Sequence, residues 1–132
     1  MNRTSDSQRP VAVRISSAPE DLAGLGPLLE AARSAVGDVP ALLELAKAAA
    51  ATAPNPGGGR TAFLWEILAS VTAVDVAAGR AIEPHLDASA ILTQATGQAA
   101  LNGWDCPDFD GVHFDGAWGV FAAEAAGLRL EA

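Results

Sequence analysis

Five side chains with metal-binding chemistry crowd one short stretch: Asp105, Asp108, Asp110, His113 and Asp115. Carboxylate oxygens and imidazole at that density are the donors a divalent cation takes. A calcium-loop frame does not fit them. With Gly111 at the invariant sixth position, Cys106 falls at the first and Ala117 at the twelfth, where a bidentate Glu should stand. The expectation is therefore a solvated acidic loop and no metal site. Cys106 is the single cysteine. A nucleophilic thiol needs a base and a group that orients that base. His113 is the nearest base, Pro107 follows the thiol directly, and no orienting group stands nearby. A lone thiol with no disulfide partner suits a reducing compartment, so a cytoplasmic location is expected.

The remaining chemical motifs fail similar tests. Gly24-Leu25-Gly26 begins like a dinucleotide-binding turn, but Leu29 stands where the third glycine belongs. Gly57-Gly58-Gly59-Arg60-Thr61 precedes a helical pattern and reads as a flexible connector with Thr61 as the cap. His85 sits between Glu83 and Asp87, and residues two apart on a helix do not face each other. It is expected to be structural or exposed, beside a surface ladder of Arg80, Glu83 and Asp87.

Charge excludes whole classes of partner. Sixteen acidic residues oppose eight Lys and Arg, a formal net charge of −8. The basic residues are scattered singly, so no stripe exists to displace counterions from phosphates. Nucleic acid and anionic membranes are not expected partners. The uncharged run from Ala88 to Trp104 holds Thr93, Gln94 and Asn102 and is too polar for lipid.

The elements that must position these groups read as helices. At 132 residues the chain is the size of one domain. Half of its residues are hydrophobic, enough for one core and too many for wholesale disorder. Met1 to Arg9 is polar and aperiodic, and residues 1–16 are expected to form a flexible leader. Val11, Val13 and Ile15 alternate, as a short strand or an extended lead-in. Pro27 suits the first turn of a helix that Gly37 stops. Asp38-Val39-Pro40 restarts a helix whose apolar face is Leu42, Leu45, Ala46 and Ala49. After the loop Pro54–Gly59, the run Ala62 to Ile82 is apolar around most of its circumference. It predicts a central buried helix, interrupted only by Glu66, Ser70, Thr72, Asp75 and Arg80. Pro84 is expected to open a further helix with Leu86, Ala90, Ile91 and Ala95 inward, stopped at Gly97. Two short strands then end the chain, Trp118 to Phe121 and Leu128 to Leu130, as a hairpin. Such a hairpin is marginal alone and leaves unpaired edges.

Several of these segments together resemble one known family. Gly59-Arg60-Thr61-Ala62-Phe63-Leu64-Trp65 opens the central helix. Glu83-Pro84-His85-Leu86-Asp87-Ala88 follows within Ala73 to Leu92, and Trp118-Gly119-Val120-Phe121-Ala122-Ala123-Glu124 comes near the end. In this order they resemble the N-terminal part of acyl-CoA dehydrogenase-like flavoproteins. The resemblance covers Arg60 to Glu131, about half of the chain.

The resemblance implies a mainly α fold: a helical bundle at 17–103, then a loop and the first strands of a truncated β-domain at 104–132. It implies FAD as cofactor, acyl-CoA thioesters as substrates, and α,β-dehydrogenation as the reaction. Backbone contacts to flavin would fall at Val120, Ala122 and Ala123. Ala123 stands where the family has a flavin-bonding Thr or Ser, and Ala125 replaces its Pro. The family's catalytic Glu belongs to a C-terminal bundle that these residues do not include, so no catalytic residue is assigned. This chain alone is expected to be a fragment without turnover. The alternative is a stand-alone helical interaction module, forming a homo-oligomer or pairing through the hairpin.

Overall fold

The computed structural model describes residues 9–17, 21–101 and 116–120. Helices α1 (Gly26–Ser34), α2 (Val39–Thr52), α3 (Thr61–Val74) and α4 (Val76–Leu101) follow a short 3-10 turn at Leu22–Leu25. No strand occurs among the described residues. The mainly α expectation therefore holds. Trp118 to Val120 are described and form no strand; the rest of the expected hairpin, Phe121 onward, lies outside the described residues.

Aspartates start three of these elements. Asp21 Oδ1 accepts from the Ala23 amide at 2.8 Å, Asp38 Oδ1 from Ala41 at 3.2 Å and Asp75 Oδ1 from Ala78 at 2.8 Å. Each carboxylate satisfies an amide that has no partner within its own helix. Pro27 and Pro40 occupy first-turn positions, where a missing N–H costs nothing. Gly37 turns the chain at φ 78°, a conformation in which a side chain would be strained.

The core follows the predicted faces. Leu42, Leu45, Ala46 and Ala49 of α2 are buried, as are Phe63, Leu64, Ile67 and Val71 of α3. They join Leu25, Leu28, Leu29 and Ala32 from the N-terminal side and Ala78, Ile82 and Leu86 from α4 in one cluster. The most extensive helix contact is α2 on α4, with α3 on α4 next.

Four boundary expectations need correction. The run Ala62 to Ile82 is not one helix. Asp75, extended at φ −155° and ψ 130°, ends α3 and caps α4. Apolar periodicity does not see such a corner, because both helices bury apolar faces. Pro84 does not open a helix but lies inside α4. Its ring removes one backbone hydrogen bond, yet Ile82 and Leu86 on either side are buried in the core. Tertiary packing carries the helix through. Likewise α4 passes Gly97 and reaches Leu101. Finally, the helix of Thr61 begins at Thr61 itself, with Arg60 at the cap position and no side-chain capping bond. Among the expected inward residues of α4, Ile91 is instead 54% exposed. No helix of the described residues is long and apolar enough to cross a membrane.

Candidate functional site

The most unusual chemistry lies on α3. Glu66 and Ser70 are four residues apart, so they share one face of the helix. Both are fully buried. A buried carboxylate must be paired or hydrogen-bonded, because losing its hydration is costly. Its donors come from the N-terminal segment 9–17, which crosses α3 without any sheet ladder and bends at Ser16. Glu66 Oε1 accepts the amides of Ile15 and Ser16, each at 3.0 Å, and the Ser16 hydroxyl at 3.0 Å. Arg14 brings its guanidinium to 3.9 Å from the same oxygen. Ser70 Oγ accepts the Val13 amide at 2.8 Å and donates to the Glu66 carbonyl one turn back.

These groups set the ionisation state. The Ser16 amide holds the Glu66 carboxyl below the ordinary 4.5; burial opposes it, and Ile15, the Ser16 hydroxyl and Arg14 add to the lowering. Glu66 is thus an anion with its first oxygen fully engaged. Its second oxygen, Oε2, is buried and makes no hydrogen bond among the described residues. A carboxylate so stabilised is a poor general base, since the same bonds that lower its proton affinity resist its protonation. What it does well is hold a chain segment by its amides.

The segment leaves open space beside it. A cavity of about 460 Å³ lies against Pro10, Val11, Arg14, Leu22, Gly26 and Leu29. A second of about 250 Å³ lies against Pro10, Val11, Arg33, Ala73 and Val74. Val11 is 74% exposed between them. The segment is therefore anchored at its Val13–Ser16 end and loosely seated at Pro10 and Val11.

A second polar position lies on α4. His85 is buried, and its Nδ1 accepts the Trp118 amide at 2.9 Å. It is therefore structural rather than exposed. Burial pushes the imidazole below its ordinary 6.5, outweighing the opposing contribution of the Trp118 contact, and the Lys47 cation adds to the lowering. The neighbouring ladder exists in part, with Arg80 paired to Glu83.

The expected site residues are placed unevenly. Val120 is half-buried in the described stretch 116–120, whereas Ala122 and Ala123 lie outside the described residues. So do Cys106 and the cluster Asp105 to Asp115. Among the described residues, no group of His, Cys, Asp or Glu is arranged to hold a metal ion. Glu66 and Ser70 were legible in the sequence only as interruptions of an apolar helix. Their spacing of four was the available signal, since two polar residues on one face of a buried helix must meet a partner there. No family model matches the chain, and neither a curated protein nor a solved structure matches it.

Proposed function

We propose that this helical unit is a protein-interaction module without catalysis, built to hold a polypeptide segment by its main-chain amides. The observation that carries this reading is the buried Glu66 carboxylate, which takes two consecutive amides and a hydroxyl from Ile15 and Ser16. Main-chain amides supply affinity for any segment that can turn two consecutive amides toward one oxygen. The hydroxyl at one position and the cation two residues before it supply selectivity. In the chain as folded, its own residues 13–16 occupy the site. A partner of the same chemistry would compete with them, at an affinity reduced by the fraction of time the site is filled.

A labelled peptide reproducing residues 9–17 tests this reading on the intact chain. Saturable binding is expected, weakened at least tenfold by Glu66→Gln and by replacing the peptide's own Ser16 with Ala. Absence of saturable binding overturns the reading, as does equal binding by the wild type and the E66Q variant. Ser70→Ala, which leaves the carboxylate in place, is expected to weaken binding less.

The second reading rests on the matched segments from Gly59 to Glu124. On this reading the chain supplies the helical N-terminal part of an FAD-dependent acyl-CoA dehydrogenase, and FAD, acyl-CoA and the remaining domains meet elsewhere. The purified chain, mixed with FAD and an acyl-CoA, is expected to show neither a protein-bound flavin spectrum nor turnover. A yellow, active protein would overturn this reading.

A further inference from the structure

The Glu66 site is built by one part of the chain and filled by another. Glu66 and Ser70 belong to α3, and the amides that reach them come from 50 to 57 positions earlier. None of those bonds requires the two parts to share one chain. The filling segment also takes little part in the core. The buried cluster begins at Leu22, and of residues 9–17 only Ala12 packs against it. Val11 is 74% exposed and Ile15 55%. The segment can therefore leave α3 without opening the core. The vacated site keeps its selectivity, for two consecutive amides, a hydroxyl and a cation two residues before it. In a solution of the pure protein, residues 9–17 of another copy offer all of these.

We propose that the partner of the Glu66 site is a second copy of this chain, the two copies exchanging residues 9–17 so that each segment lies across the α3 of the other. This rests on the interaction reading above and narrows its partner to an identical chain.

Exchange preserves every contact between segment and site, which is why swapping an identical element is a low-cost route to a dimer. What changes is the connection and the entropy of association. Between Ser17 and Asp21 the connection is three residues, Ala18-Pro19-Glu20. A proline fixes its own φ and biases the residue before it toward extended conformations. A short, stiff connection of that kind favours running on to a neighbour over folding back. Against this stands return of the segment to its own α3, at an effective concentration on the order of millimolar for a short linker. The exchanged dimer is therefore expected when the chain folds at millimolar concentration.

The test traps a segment of one chain on the α3 of another. In a Cys106→Ser background, one chain carries Val13→Cys and a second carries Ser70→Cys. The Val13 amide lies 2.8 Å from the Ser70 hydroxyl, so these two cysteines meet where a segment crosses an α3. With one cysteine per chain, no disulfide can form within a chain. Equal amounts are refolded together at about 1 mM and oxidised with diamide, and the mixed disulfide is expected in about tenfold excess over either homodimer. Mixed disulfide no more abundant than the homodimers overturns the proposal. So does an equal yield when Leu43→Cys, exposed on α2, replaces Ser70→Cys. If a cysteine variant does not fold, sedimentation of the unsubstituted chain refolded at the same concentration decides. A dimer that Glu66→Gln diminishes supports exchange; a monomer, or a dimer that E66Q leaves unchanged, overturns it. Binding of the free 9–17 peptide without the mixed disulfide rejects exchange and leaves the interaction reading standing, whereas failure of that reading is seen in the peptide assay itself.

Discussion

At the scale of single residues, Glu66 is the costliest group to bury and the one most dependent on a distant segment. Its donors lie 50 and 51 positions away in the chain. Its depressed proton affinity has a thermodynamic consequence. A carboxyl whose folded value is lowered stabilises the fold above its unfolded value, and that contribution is lost as pH falls through the folded value. Stability is therefore expected to fall with acidification below about pH 4.5, where the unfolded carboxyl first takes up its proton. Urea unfolding at pH 7 and pH 3 checks this. Glu66→Gln should lower the midpoint at pH 7, and the gap between the variant and wild type should narrow at pH 3. A gap that stays constant would show that Glu66 acts through shape alone. None of this was visible in composition, which records Glu66 as one of sixteen acidic residues. Its environment differs from the others because amides from another element converge on it.

At the scale of elements, the α3–α4 corner is decided by two small features. Asp75 accepts the Ala78 amide, and its own amide donates to the Val71 carbonyl at 3.1 Å. One residue thus ends one helix and begins the next. The corner also brings Thr72 against Gly79, where a Cβ would lie 3.0 Å from the Thr72 Cβ and against its hydroxyl. Replacing a mid-helix Gly by Ala ordinarily stabilises by roughly 0.5–1 kcal/mol. Here the sign is expected to reverse. Gly79→Ala should destabilise by about 1–3 kcal/mol, the range for overpacking, and Thr72→Ala should restore much of the loss in the double variant. Thermal unfolding of the four proteins in that cycle checks the coupling. The sequence carried the caps well: Asp38 and Pro40 announced α2, and Pro27 and Gly37 bracketed α1. It carried the corner and the Pro84 crossing poorly. Propensity is a local preference, while a helix continues or bends according to what its next turn packs against.

At the scale of the whole molecule, four helices share one core. Ile67, near its centre, is fully buried. Ile67→Ala should cost about 2–5 kcal/mol, from lost transfer energy plus an unfilled cavity. Leu43, 47% exposed on α2, is the control and should change stability by no more than about 0.5 kcal/mol on truncation to Ala. Paired denaturation curves compare them directly. Segment 9–17 and segment 116–120 are both attached to this core through an ionisable side chain, Glu66 on α3 and His85 on α4. Acid acts on both, in different ranges: His85 titrates below 6.5 and Glu66 below 4.5. The expected order of events on acidification is protonation of His85 first and of Glu66 second.

What the sequence determined by itself was the helical class, most of the buried faces, the start of α2 at Asp38 and the acidic charge balance. Each of these follows from residue type and spacing within a few turns, where neighbours in the chain are neighbours in space. Only the tertiary structure decided that Glu66, Ser70 and His85 are buried, that α4 runs through Pro84, and that segment 9–17 lies across α3. Those outcomes depend on partners 33 to 57 positions away and on packing between helices. A polar residue on an apolar helix has the same letter whether it meets water or another segment's amides. Folding supplies the amides, and with them the change in its chemistry.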